Sequence, residues 1–326
     1  MKHARTATPA TLATLLAAAF ALAAAPALAD WPEKPIRAIV PFAPGGANDV
    51  VGRVMSPEIA KALGQPLIIE NKPGAGGNIG LDYVAKSKPD GYTILYSATA
   101  STQNPALYRN LPFDPIKDLQ PVAQIAEAPY VIMINPNLPV KSATELIDYA
   151  RKNPGKLNAA SGGLGTQLSV ELFRIRNKLS LEIIPYPGTG PASVAVSTGT
   201  ADFAIMDTSA YTGFLAGGQV KPLAVAGEKR LSSLPDVPTS REAGLGDYLV
   251  GTLFAIYVQG ATPNDIVQKL NGVVNKIIVT PEMTERLRKL GSEPTPKTVE
   301  AFTRFVHTEI ATWKQIVKQA NIPPVD

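Results

Sequence analysis

An apolar run over residues 36–40 leads into Pro41-Phe42-Ala43-Pro44-Gly45-Gly46-Ala47-Asn48-Asp49. After it, Val50, Val51, Val54, Met55, Ile59 and Leu63 recur at helical spacing. The order is strand, glycine loop, helix, so the stretch lies at the carboxyl end of a buried strand. Gly45 and Gly46 let the backbone turn sharply and expose N–H groups. Asn48 or Asp49 is placed to cap the helix that follows. A helix N-terminus beside glycines attracts an anion without any cationic side chain. Taken alone, the loop fits an ordinary βα turn as well as an anion site. Its recurrence later in the chain favours the second reading.

Residues 36–97 read as βαβαβ, with strands over 36–40, 67–70 and 93–97 and helices from Asp49 to Leu63 and after Pro73-Gly74-Ala75-Gly76-Gly77-Asn78. Such an alternation implies parallel strands with right-handed crossovers, and ligands bind beyond their carboxyl ends. The loop after the third strand, Ser97-Ala98-Thr99-Ala100-Ser101-Thr102-Gln103-Asn104, shares that position with the first. Residues 157–207 repeat the pattern: a strand, the loop Ser161-Gly162-Gly163-Leu164-Gly165-Thr166, a helix, a strand, Pro187-Gly188-Thr189-Gly190-Pro191 opening a helix, and a strand ending before Asp207. Pro191 suits the first position of its helix. Helices follow at 263–278, 281–290 and 299–320, and Thr262 and Thr280, each before a proline, read as caps. The simplest architecture is α/β with two lobes: a signal segment at 1–29, one lobe from 30–128 with 250–326, and a second at 129–249. Each lobe is expected to be a mostly parallel sheet flanked by helices, with crossings near 124–135 and 249–259. The ligand cleft is expected between them.

Residues 1–29 have a basic start, an Ala/Leu-rich core and a small-x-small end at Ala27-Leu28-Ala29, the pattern of a cleaved secretory signal, and no Cys follows that would take a lipid. Loss of Lys2 and Arg5 with it lowers the formal charge from +4 to +2. The remaining charges are interspersed and aromatics are few, which gives nucleic-acid binding no support. With no Cys anywhere and His307 the one His after the signal, the common zinc sites and Cys–His pairs are excluded. Neither glycine cluster keeps the spacing of a dinucleotide fingerprint, and no cofactor is expected. Asp207 suits either a ligand amine or hydroxyl or the capping of a turn. Tyr186 and Tyr211 share that ambiguity, as core packing with a polar tip or as cleft walls.

Several segments in order carry a resemblance: Trp31-Pro32-Glu33-Lys34-Pro35-Ile36-Arg37, Val40-Pro41-Phe42-Ala43-Pro44-Gly45-Gly46 with Asp49, Glu70-Asn71-Lys72-Pro73-Gly74-Ala75-Gly76-Gly77-Asn78-Ile79-Gly80, Pro89-Asp90-Gly91-Tyr92-Thr93, Asn104-Pro105-Ala106-Leu107-Tyr108 and Leu234-Pro235-Asp236-Val237-Pro238-Thr239. Together they resemble the Bug family of periplasmic substrate-binding proteins, the receptors of tripartite tricarboxylate transporters. The resemblance implies a two-lobed periplasmic-binding-protein fold that closes on a small organic carboxylate and delivers it to membrane permease subunits, the alternatives being a ligand-sensing receptor for a signalling system or a two-lobed exported enzyme. It implies a periplasmic, non-enzymatic monomer whose ligand is held by backbone N–H groups, hydroxyls and waters. By the same resemblance the ligand-binding residues are Phe42, Pro44, Gly45, Gly46, Asn48 and Asp49; Ser97, Thr99 and Ser101; and Ser161, Gly162, Gly165, Thr166 and Asp207. Two departures stand out. The family usually has Ser or Thr where Asn48 stands, and the second glycine loop is shorter here and lacks a His.

Overall fold

The structure, a computed structural model, describes residues 31–45, 47–186 and 188–325. The expected signal segment at 1–29 and Gly46 lie outside the described residues. In chain order the first elements are β1 (Ile36–Val40), α1 (Ala47–Leu63), β2 (Leu67–Asn71), α2 (Asn78–Ala85), β3 (Thr93–Ser97), α3 (Ala100–Leu107) and β4 (Leu119–Pro129). Next come β5 (Val131–Ile134), α4 (Ala143–Lys152), β6 (Asn158–Ser161), α5 (Leu164–Asn177), β7 (Glu182–Pro185), α6 (Thr189–Thr198), β8 (Phe203–Met206), α7 (Thr212–Ala216) and β9 (Lys221–Val225). The chain ends with β10 (Gly251–Gln259), α8 (Asn264–Ile278), α9 (Pro281–Lys289), β11 (Glu293–Pro294) and α10 (Val299–Gln319).

Both βαβαβ units form. Their strands make two sheets, ordered β11-β4-β10-β3-β1-β2 and β7-β6-β8-β5-β9. Within them β2-β1-β3 and β7-β6-β8 are parallel. The remaining pairings are antiparallel, so each sheet is mixed rather than mostly parallel. The cause is the route of the chain. It leaves the first sheet along β4 and returns along β10, and strands traversed in opposite senses pair antiparallel. The two connections meet at Tyr130, Ala226 and Val250, where Tyr130 N–H donates to the Val250 carbonyl (2.9 Å), Ala226 N–H to Tyr130 (2.8 Å) and Val250 N–H to Ala226 (3.1 Å).

Helices cover both faces of the first sheet. On one side Val51, Met55 and Ile59 of α1 share a core with Leu270 and Val274 of α8 and Leu287 of α9. On the other, Leu81 and Val84 of α2 pack with Phe302, Val306 and Ile310 of α10. The last turns of α10 belong elsewhere. Trp313, Ile316 and Val317 enter the core of the second sheet beside Ile132, Phe173 and Ile205. A single amphipathic helix thus inserts successive turns of one apolar stripe into two cores.

Helix ends depart from expectation in three places, each for a local reason. Thr280 caps α9 by accepting from Met283 N–H, but Thr262 caps nothing. Its hydroxyl donates back to the Gln259 carbonyl at 2.7 Å, and Pro263 takes the cap position of α8. Pro191 is the third residue of α6, which begins at Thr189. Helix α1 begins at Ala47, so Asn48 and Asp49 lie in its first turn instead of capping it.

Trp313 is 4% exposed, and its indole N–H donates to Glu309 at 2.9 Å. Replacing it with Ala should lower stability by about 3–5 kcal/mol, measured as a reduced urea midpoint with unchanged slope.

Candidate functional site

The carboxyl ends of β1 and β2 are level, with Val40 opposite Asn71, and β3 ends beside them at Ser97. The three loops that leave this edge are tied together. A Cβ on Gly77 would lie 3.2 Å from the Phe42 ring and 3.5 Å from Ala100, so the glycine before α2 admits Phe42 between the second and third loops. The Asn71 carboxamide donates to the Phe42 carbonyl and to Asp49 Oδ1, both at 2.9 Å. The other oxygen of Asp49 accepts from Gly45 N–H (2.9 Å) and Arg53 Nε (2.8 Å). Gly45 is at φ +83°, a conformation that favours glycine. The bond from Arg53, with those from Gly45 and Asn71, holds the Asp49 carboxyl down at about 2 against the cost of burial.

The expected ligand residues of this lobe therefore divide. Pro44 and Gly45 are exposed at the edge, with Phe42 and Thr99 half-buried. Asn48 and Asp49 are buried and turned inward, with the Asn48 carboxamide donating to the Tyr96 carbonyl at 3.1 Å. Ser97 and Ser101 are buried too. The Ser97 hydroxyl donates to Ala98, and that of Ser101 lies 2.9 Å from Tyr257 Oη. These four side chains shape the loops from behind.

The second lobe has a corresponding edge. Ser161 at the end of β6 is level with Pro185 of β7. A Cβ on Gly162 would fall 2.5 Å from the backbone of Thr189, so glycine is needed there to let α6 start against the loop. Gly162 N–H donates to the Thr166 hydroxyl (2.8 Å), which donates on to the Gly163 carbonyl (2.9 Å). Gly162 and Thr166 thus hold each other. Helix α5 starts at Leu164, inside the glycine loop, so Gly165 and Thr166 form its first turn. The N–H groups of a first turn have no partner within the helix. Ser161 is 1% exposed, and its hydroxyl is one of the buried side-chain polar atoms without a hydrogen-bond partner.

Asp207 follows β8 directly, and its charge acts on two phenols. Burial raises the pKa of Tyr130 to about 12, against the bond from Thr252 and with a smaller push from Asp207, and burial followed by Asp207 raises that of Tyr211 further. Both phenols are protonated at neutral pH. The Tyr211 hydroxyl is buried without a partner.

The two edges oppose one another. A Cβ on Gly165 of α5 would lie 3.1 Å from Gln103 Oε1 of α3 and 3.5 Å from Tyr130 Oη. A Cβ on Gly291, after α9, would lie 3.2 Å from the Thr208 hydroxyl. Between the lobes on the α1 side is a cavity of about 660 Å³, with Gly45, Ala47 and Val50 on one wall and Thr208 and Leu215 on the other. The cations that line it, from α9, are paired, Arg288 with Glu293 (2.9 Å) and Lys289 with Glu285 (2.8 Å). Thr99 lines a different cavity of about 290 Å³ against the connecting strands and α10. The expected residues are thus brought to two facing edges but not into one cavity. Gln103, Tyr130 and Thr208 were not in the expected set. Only Gln103 had a signal, its position in the loop stretch after β3. No group of three or more metal-ligating side chains occurs among the described residues.

Comparison with known proteins places this geometry. Residues 51–322 match the family described as tripartite tricarboxylate transporter family receptor. Protein BugT of Bordetella pertussis is 34% identical over 303 residues, covering 91% of this chain and 93% of that protein. A structure from R. palustris with adipate superposes with a TM-score of 0.75 at 33% identity, covering 91% of this chain and all of that one. MatC from Rhodopseudomonas palustris with bound malate gives 0.70 at 34% identity, covering 88% and all of that chain.

The Asp49 network has a pH signature. Its folded pKa, about 2, lies below the ordinary 3.8. The stabilisation is complete above about pH 4 and is lost as pH falls toward 2, on the order of 2 kcal/mol. Asp49→Asn should lose that stability at neutral pH and flatten the acid limb of a stability–pH profile from urea titrations.

Proposed function

The chain belongs to the family of tripartite tricarboxylate transporter receptors, whose members are solute-binding proteins rather than enzymes, and on that premise we propose that it is a periplasmic receptor for a small organic carboxylate. The observation that carries this reading is the opposition of two strand edges, each with glycine loops and helix N-termini, across the connecting strands. Bare N–H groups and protonated hydroxyls suit an anion whose charge is met by dipoles. The paired state of Arg53, Arg288 and Lys289 accords with that. Structural relatives with adipate and malate support the ligand class.

In this reading Phe42, Pro44, Gly45 and Thr99 face the ligand from one lobe and Ser161, Gly165 and Asp207 from the other. Asn48, Asp49, Ser97, Ser101, Gly162 and Thr166 hold those groups in place. The lobes, 30–128 with 250–326 and 129–249, rotate about the Tyr130–Ala226–Val250 junction to close on the ligand, and the closed monomer presents it to permease subunits for uptake. Among the described residues no helix is long and apolar enough to cross a membrane.

Thermal unfolding against a panel of mono-, di- and tricarboxylates and acidic amino acids tests the reading. An acid at a hundred times its dissociation constant adds ~2.7 kcal/mol, and its amide should give no shift. A protein that responds to amides and acids alike, or to neither, is not a carboxylate receptor.

A further inference from the structure

Gln103 sits in α3 of the first lobe, 4% exposed, and its carboxamide has no hydrogen-bond partner among the described residues. It faces Gly165, the second residue of α5, from the opposite lobe. A methyl group at Gly165 would meet Gln103 Oε1 at 3.1 Å and Nε2 at 3.8 Å, with Tyr130 Oη at 3.5 Å. Gly165 is absent from the positive-φ glycines, so its backbone would accept any residue. What glycine leaves there is space, at the first turn of a 14-residue helix.

Three neutral groups therefore converge from different parts of the fold: the open N–H groups of α5, the protonated Tyr130 hydroxyl from the junction, and the Gln103 carboxamide from the facing lobe. A half-turn of the amide exchanges its oxygen and nitrogen, so Nε2 can be turned to this point. All three can donate, and an anion is the acceptor that suits a helix N-terminus.

Building on the receptor reading, we propose that Gln103 determines specificity by donating from Nε2 to a ligand carboxylate held at the N-terminus of α5. Contact with ligand would then join α3 to α5, so one hydrogen-bonded carboxylate spans the lobes and favours their closed arrangement. An acid at position 103 would put a like charge against that carboxylate. A leucine would remove the donor while keeping the volume.

The test is isothermal titration of wild type, Gln103→Leu and Gln103→Glu with adipate, malate and whichever panel acid shifts the melting temperature most. We expect Gln103→Leu to bind the acid about tenfold more weakly or worse, and Gln103→Glu more weakly again. The ligand-free melting temperature of Gln103→Leu should not fall, because no internal bond is broken. Gly165→Ala should weaken binding in wild type and add little in the Gln103→Leu background, since both changes act on one contact. Unchanged affinity in Gln103→Leu, or additive losses in the double variant, would overturn the assignment of Gln103 and leave the receptor reading standing. A wild type that binds no carboxylate overturns both.

Discussion

Three backbone hydrogen bonds among Tyr130, Ala226 and Val250 join the two sheets, and the geometry of the cleft depends on them. Parallel strands make a ligand-binding edge only at their carboxyl ends. Two such edges are useful together only if something turns them toward each other. The junction does this with main chain alone: β4 runs on into β5 past Tyr130, and β10 starts one residue beyond Val250. Backbone bonds hold distance while allowing small changes in φ and ψ, the freedom that the proposed closure requires.

The α/β alternation was legible because its signals are local. A short apolar run, a glycine turn and a 3.6-residue period identify each unit without knowledge of the others. The sheets' mixed character was not legible, since strand direction depends on where the chain goes between lobes. Helix starts differ from the sequence pattern where a side chain makes a competing bond. Thr262 looks like Thr280 in sequence, yet it bonds backward to Gln259 and leaves the cap to Pro263.

At the site, sequence located the loops but not the direction of their side chains. Asn48, Asp49, Gly162 and Thr166 stand in the right stretches, and the structure engages each in holding its own loop. Polar residue types beside glycines are equally suited to ligand contact and to bracing the turn, and composition does not separate these uses. Gln103 and Tyr130 lie outside the expected set because their importance comes from Gly165, more than thirty residues away in the chain and, for Gln103, in the other lobe. Groups that meet only across a cleft leave no spacing pattern.

Helix α10 divides its buried side chains between two cores. Val325 then pairs with Leu107 and Arg109, so the final residues reach back to the end of α3. Neither lobe can complete its interior until α10 is available. A polypeptide synthesised from its N-terminus would have both sheets' sequences in hand and still lack the indole that finishes the second core. The shared helix thereby couples the folding of the two lobes although their sheets are separate.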